Sequence, residues 1–298
     1  MCDQVGRIMG TPRWMGALAV PGRVLIRAGV RTPTIERLTQ RAASKWARET
    51  VGRTNHGVQM HLNTRDLIQR FIWIFGQWEP ALTEHLRRSL RPGDGFIDVG
   101  ANVGYFTLLA SRLIAPSGTV VAVEPAPDCA AGLRANIALN GVRNVRVVEA
   151  AITSKPGSVY LRLGSERNSG VARLTSHEHA TGVIVDGRSF AQLIRIGELE
   201  AARFVKIDVE GAERDVIESV LPTLSRSRDD LELMVELDAG TAEVVDMMRA
   251  EGFHPYCVAN RYSPEGYLDQ SRMRPQRLEE AIREQTDVIF SRVDGAML

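Results

Sequence analysis

Beyond Pro92 the chain alternates between short apolar runs and longer amphipathic stretches. Phe96–Val99, Val120–Glu124, Val145–Glu149, Phe204–Asp208 and Leu231–Leu237 are brief, rich in β-branched residues and bounded by turn-forming positions, which predicts buried strands. Between them, 105–113, 128–139, 212–220 and 241–251 carry helical periodicity. The helix over 128–139 is expected to stop at Asn140-Gly141, and the one over 212–220 at Pro222. A less regular section holds strands at 158–163 and 183–185 around a polar stretch, and 253–258 with 287–292 forms a closing strand pair. Near-continuous apolar strands alternating with helices predict a doubly wound, mostly parallel α/β sheet, covered on both faces, with an antiparallel edge strand.

Upstream, Val58–Leu62 alternates like a strand, and 65–90 reads as helix interrupted at 76–80. Residues 1–53 read as one or two amphipathic helices forming a basic N-terminal helical extension, and 54–298 as the α/β domain. Charge sharpens that division. The formal net charge is only +1, yet residues 1–53 hold ten basic side chains against three acidic ones, a net of +7, so the other 245 residues total −6. The favoured reading is a cap packed on the main domain; the sharper one is contact with an anionic membrane surface. Against the latter, Pro21, Arg23 and Arg27 interrupt the apolar stretch 14–30. No apolar run reaches the roughly 18 residues that span a bilayer. Three widely spaced cysteines, Cys2, Cys129 and Cys257, exclude a disulfide framework or zinc site and suit a reducing cytoplasm.

In a doubly wound sheet, ligands bind beyond the carboxyl ends of the strands where strand order reverses. The first strand there ends in Asp98-Val-Gly-Ala-Asn-Val-Gly104, a G-x-x-x-G turn with Asn102 between the glycines and Tyr105 opening the helix. Dinucleotide binders instead use G-x-G-x-x-G to set backbone N–H groups against a pyrophosphate. A looser turn carrying Asp98 suits a ligand without phosphates and with a cationic end. Glu124 closes the second strand, 24 residues beyond Gly100, where an acidic side chain accepts from ribose hydroxyls. The ligand implied is a nucleoside with a positively charged tail, S-adenosyl-L-methionine being the common one. The plainer alternative is that both glycines serve packing and Glu124 is a solvated strand end.

Three segments carry a family resemblance: 96–107, 121–125 and, most specifically, Val205-Lys-Ile-Asp-Val-Glu-Gly-Ala-Glu213. With Gly76-Gln-Trp-Glu-Pro80 upstream, the chain resembles the FkbM-type S-adenosylmethionine-dependent methyltransferases, a Rossmann-like group, over roughly 57–292. The resemblance implies methylation of hydroxyls on a small-molecule acceptor (sugar, glycolipid or polyketide). It departs at Asp238, where the family pattern leads one to expect a histidine.

Period two puts Lys206 and Asp208 on one side of their strand, with Asp208 at the crevice and Glu210 in the turn beyond. Asp208 is expected beside the cofactor or acceptor, Glu210 as a second candidate for acceptor binding or base, and Glu213 as a favourable helix-start charge. The predicted cofactor set is Asp98, Gly100, Asn102, Gly104, Tyr105, Glu124 and Asp208; the predicted catalytic pair is Asp208 and Glu210. Two carboxylates could also hold a divalent metal, but spacing offers no third ligand and none is predicted. His177-Glu-His179 and Asn168-Ser-Gly170 are candidate acceptor-pocket residues or a plain solvated loop. Two other functions stay open: N-methylation of a small molecule, and methylation of RNA with the basic arm on phosphates. A nucleic-acid partner is disfavoured because the chain has neither an Asn/Asp-Pro-Pro-aromatic motif nor a Pro-Cys motif. A short-chain dehydrogenase would need Tyr-x-x-x-Lys, which is absent. Oligomeric state is not legible.

Overall fold

The computed structural model describes residues 13–28, 30, 32–45, 49–162, 173–175, 182–258 and 274–294. Its centre is an eight-stranded sheet built on the predicted runs. In chain order these are β3 (Gly95–Val99), β4 (Thr119–Val123), β5 (Val145–Val148), β10 (Ala202–Ile207), β11 (Glu232–Leu237), β12 (His254–Val258), β13 (Gln276–Arg277) and β14 (Thr286–Ser291). The spatial order is β13-β12-β14-β11-β10-β3-β4-β5. Strands β5, β4, β3, β10 and β11 are parallel. The closing pair is antiparallel as expected, but β14 inserts between β11 and β12, and the short β13 forms the antiparallel edge. Strand order reverses at β3, so the crevice lies between the carboxyl ends of β3 and β10.

Alternation along these strands sorts their side chains onto two faces. Phe96, Phe204, Met234 and Ile289 join one core cluster with helices α3 (Leu67–Phe75), α4 (Pro80–Ser89) and α5 (Tyr105–Ile114). Ile97, Val99, Val205, Ile207, Leu233 and Val235 join a second. That cluster includes α8 (Ile196–Ala201), α9 (Glu213–Val220) and α10 (Glu243–Ala250). Helix α6 (Pro127–Leu139) ends at Asn140 with Gly141 at φ +62°, the predicted left-handed stop.

The irregular section forms a sheet of its own, β6-β9-β7-β8, from Ala151–Ile152, Gly182–Arg188, Gly157–Arg162 and Arg173–Thr175. His177, His179 and Asn168-Ser-Gly170 lie outside the described residues. Pocket-forming by that polar stretch is therefore left as an expectation.

The N-terminal extension contains α1 (Arg13–Arg27) and α2 (Pro33–Lys45), but it does not end as helix. Residues Glu49–Arg53 form β1, paired antiparallel with β2 (Gln59–Asn63). A boundary at 53/54 thus falls inside a hairpin. Helix α1 runs through Pro21, and Gly22 meets α2 so closely that a Cβ there would lie 2.0 Å from Thr39 Oγ1. Arg27 fastens the arm. Its Nη1 donates to the Arg53 carbonyl at 2.7 Å, its Nη2 to Trp73 and Ile72 at 3.2 and 3.3 Å, and its Nε to Ile74 at 3.3 Å. Three of those acceptors are carbonyls at the end of α3, the negative end of its dipole. Arg23 stacks its guanidinium 4.7 Å from the Trp73 ring centroid. Burial, with Arg23 as a like-charged neighbour, lowers the Arg27 pKa to about 10, which leaves it charged at neutral pH.

Arg27→Ala is expected to lower stability by about 2 kcal/mol, the scale of losing charged hydrogen bonds that leave buried carbonyls unmet. Arg27→Lys should recover little, because one ammonium cannot span the same acceptors. Urea unfolding of both variants reads the effect.

Candidate active site

The same alternation that builds the first core cluster places charge at the crevice. Two residues beyond Phe96, Phe204 and Met234 come Asp98, Lys206 and Glu236; two before Ile289 on the antiparallel strand comes Asp287. Asp98 and Lys206 are register partners, as are Glu236 and Asp287. A carboxylate-rich row thus lies on one face of four adjacent strands, with Lys206 as its ammonium.

Lys206 is buried and its Nζ donates to Asp208 Oδ2 at 2.9 Å, while lying 5.3 Å from the Phe106 ring centroid. Burial alone would lower its pKa; Asp208, Asp98 and Glu79 outweigh it and raise it, so the ammonium stays charged. Asp98 is pushed upward by burial, against Lys206 and a 2.5 Å hydrogen bond from Thr107 Oγ1 to its Oδ2. Its buried Oδ1 has no hydrogen-bond partner among the described residues.

The glycine turn is held from below. Gly100 N and Ala101 N both donate to the Val123 carbonyl. A Cβ on Gly100, at φ +80°, would fall 1.8 Å from the Asp208 carbonyl oxygen, so the turn abuts the end of β10. Gly104 abuts Leu133 of α6. Asn102, at φ +49°, donates its backbone N–H to Glu124 Oε2 at 2.7 Å and accepts from Val103 N through Oδ1. Glu124 Oε1 accepts from Ala126 N at 2.9 Å. Glu124 therefore braces the turn with both oxygens, each keeping a lone pair for a further donor. Burial raises its pKa to about 7. Tyr105 is buried, its hydroxyl 3.2 Å from Thr83 Oγ1, which ties α5 to α4; burial pushes it up to about 12.

Asp208, Glu210 and Glu236 offer carboxylate oxygens within 4.8 Å of one another. This third carboxylate removes the ground on which a metal was not expected, since the three could reach a common divalent cation. Glu210 sits in the left-handed region at φ +53°, followed by Gly211. The non-glycine residues with positive φ among the described residues are Glu79, Asn102 and Glu210, and all three belong to this end of the molecule. Burial raises Glu236 to about 8, reinforced by the like charges of Asp208 and Glu79. Asp287 is raised as well, by burial and then by Glu79 and Glu236. Glu213 opens α9 and accepts from Gly211 N at 2.7 Å, while burial, with Asp208 and Asp238 as like charges, raises its pKa. Asp238 accepts from Gly240 N and Thr241 N, so the residue standing where a histidine was expected shapes a turn.

Glu236 and Asp287 are absent from the predicted set because both sit inside apolar strands. A carboxylate one step from the crevice end of a buried strand was the signal available.

The Methyltransferase FkbM domain family matches residues 98–255, more than half of the chain. The chain belongs to this family. It is accordingly an S-adenosylmethionine-dependent methyltransferase. It is 32% identical over 196 residues to 31-O-demethyl-FK506 methyltransferase FkbM of Streptomyces tacrolimicus, covering 55% of this chain and 74% of that protein. Methyltransferase 1 of Beauveria bassiana is 28% identical over 148 residues, 42% of this chain and 58% of its own length. Among solved structures, a SAM-dependent O-methyltransferase from Thermotoga maritima aligns with a TM-score of 0.42 and 13% identity over 83% of this chain and 78% of that one.

The unpartnered Asp98 oxygen and the braced glycine turn suit the cationic amino acid end and the ribose of S-adenosylmethionine. Were ribose to meet Glu124, as its place beyond the turn predicts, its hydroxyls would find an ionised acceptor above about pH 7 and a protonated carboxyl below it. Cofactor affinity measured by calorimetry is expected to tighten as pH rises from 6 to 8, about tenfold for a one-unit shift in pKa on binding. Glu124→Gln should bind more weakly and lose that pH dependence; a variant that keeps it would remove Glu124 from the ribose site.

Proposed function

We propose that the protein transfers a methyl group to a hydroxyl of a small-molecule acceptor, a sugar, glycolipid or polyketide-type compound, in the cytoplasm. The observation that carries this reading is the carboxylate group Asp208, Glu210 and Glu236 beside the cofactor turn. In it, Glu236 holds a proton affinity near neutrality. A general base works best when its pKa lies near the working pH, and a hydroxyl, unlike a neutral amine, must lose its proton as it attacks. The Streptomyces relative's name describes a demethylated FK506 as its acceptor, which agrees with an oxygen nucleophile.

S-adenosylmethionine, when bound, supplies a methyl group made electrophilic by its sulfonium. In our reading Asp98, Gly100, Asn102, Gly104, Tyr105 and Glu124 form and support its cradle. Asp208, which accepts from Lys206 Nζ at 2.9 Å, is the group that meets the methionine end or the acceptor in this reading. Glu210 orients the acceptor hydroxyl, and Glu236, which the sequence did not reveal, takes its proton. Alignment of this kind supplies roughly 7–11 kcal/mol in favourable cases, and a positioned base about 10²–10⁴-fold. For the RNA alternative, Arg23 and Arg27 of the basic arm are engaged by Trp73 and by backbone carbonyls, which leaves the exposed Arg37 and Arg41 of α2 to meet phosphates.

S-adenosylhomocysteine production with a panel of glycosides, glycolipids and macrolides tests the reading, with the O-methylated form of each as control. Turnover should appear with free hydroxyls only, and kcat should rise with pH through about 8. Glu236→Gln should lower kcat by about 10²–10⁴-fold and flatten that profile while cofactor affinity stays within a few-fold. Asp208→Asn should also cut turnover well beyond any loss of stability. A rate abolished by a chelator and restored by Mg²⁺ would reassign the carboxylates from base to metal ligands.

A further inference from the structure

Of the arginines that interrupt the apolar stretch of α1 in sequence, Arg23 is half-buried, and Arg27, although exposed, spends its guanidinium on backbone carbonyls. Arg23 lies over Trp73, and Arg27 reaches the carbonyls of Arg53 and of the last turn of α3. Gly22 and Ile26 face inward. What remains exposed between 20 and 28, apart from Arg27, is Val20, Pro21, Val24, Leu25 and Ala28. Val24 is 60% exposed, and Leu38 of α2 is 59% exposed. Five of the nine large hydrophobic residues exposed among the described residues fall within 20–38. A helix apolar on its outer as well as its inner side has a second surface to cover.

Charge identifies what covers it. Arg37 and Arg41 are exposed on α2, in a segment of 53 residues with a net charge of +7. A second copy of the same face would set +7 against +7, whereas an anionic bilayer offers both an apolar boundary and opposite charge. We infer that α1 and α2 dock on an anionic lipid surface, with Val20, Val24, Leu25 and Leu38 inserted at the acyl boundary and the arginines of α2 at the headgroups. The arm also packs on α3, the element that leads into Gly76 and Glu79. A Cβ on Gly76 would lie 3.0 Å from Arg27 Nη2, and Glu79, three residues on, is one of the charges acting on Lys206 and Glu236. Resting on the hydroxyl-transfer reading, a lipid-docked arm favours a glycolipid among the proposed acceptors.

Flotation of the full chain with phosphatidylcholine vesicles, with and without one-third phosphatidylglycerol, tests the arm apart from methyl transfer. The anionic vesicles should carry about ten times more protein, and high salt should release it. The double variant Val24→Asp/Leu38→Asp, at exposed positions, should keep its circular dichroism and cofactor affinity and lose vesicle binding. Equal recovery on both vesicle types, undiminished binding by the variant, or a dimer in light scattering that the variant dissociates would overturn the proposal. Loss of turnover with every hydroxyl acceptor, alongside intact vesicle binding, would sink the hydroxyl-transfer reading and leave the docking surface standing.

Discussion

A buried ammonium keeps its charge only where anions replace the water it has lost, and Lys206 has them on several sides. Asp208 meets it directly, Asp98 faces it across the strand pair, and Glu79 adds its field. The dependence runs both ways. Asp98 and Asp287 are driven toward protonation by burial, and Lys206 is the cation that opposes it in both. Without that ammonium, the ends of β3, β10, β11 and β14 would present carboxylates to one another with nothing to offset their repulsion. The switch-point crevice is therefore an electrostatic arrangement as much as a topological one, and its centre is a residue contributed by strand alternation alone.

That alternation explains why much of the fold was legible. Strands buried on both faces read as short apolar runs, and β3, β4, β5, β10 and β11 lie within a residue or two of where the pattern puts them. Helix ends written in local chemistry, such as Asn140-Gly141, were equally plain. Elements whose cause is tertiary were not. Strand β1 carries Gly52, and its pairing with β2 is hidden in a stretch that reads as the tail of a basic helix. The two-residue β6 joins its sheet only because β9 returns beside it. Insertion of β14 between β11 and β12 is a choice of neighbour, which no local pattern encodes.

The site divides along the same line. Asp98, Gly100, Glu124, Asp208 and Glu210 stand at turns after strands, where a polar residue needs a reason, and the structure brings the turn and its braces together. Glu236 and Asp287 hide within strand text because their neighbours, Val235 and Val288, point to the opposite core. Arg23 and Arg27 misled in the other direction. Counted as breaks in an apolar face, they proved to be fastenings of the arm, because a guanidinium can engage an aromatic ring or the carbonyls that end a helix.

The features that weaken this end of the molecule are the ones that fit it for chemistry. Left-handed backbone at Glu79, Asn102 and Glu210 costs about 1–2 kcal/mol at each residue. Burial of like charges at Glu236 and Asp287 adds a penalty that a neutral pair in the same strands would avoid. Both are tolerable because the two core clusters on either face of the sheet fix the strand ends regardless of what those ends carry. The strain at Asn102 sets its N–H against Glu124, and that at Glu210 swings its carboxylate toward Asp208 and Glu236. Burial, reinforced by that repulsion, keeps a proton acceptor poised near neutral pH. Relieving either, by glycine at the strained positions or amide at the charged ones, would strengthen the fold and remove the geometry or the proton affinity on which the proposed hydroxyl attack depends.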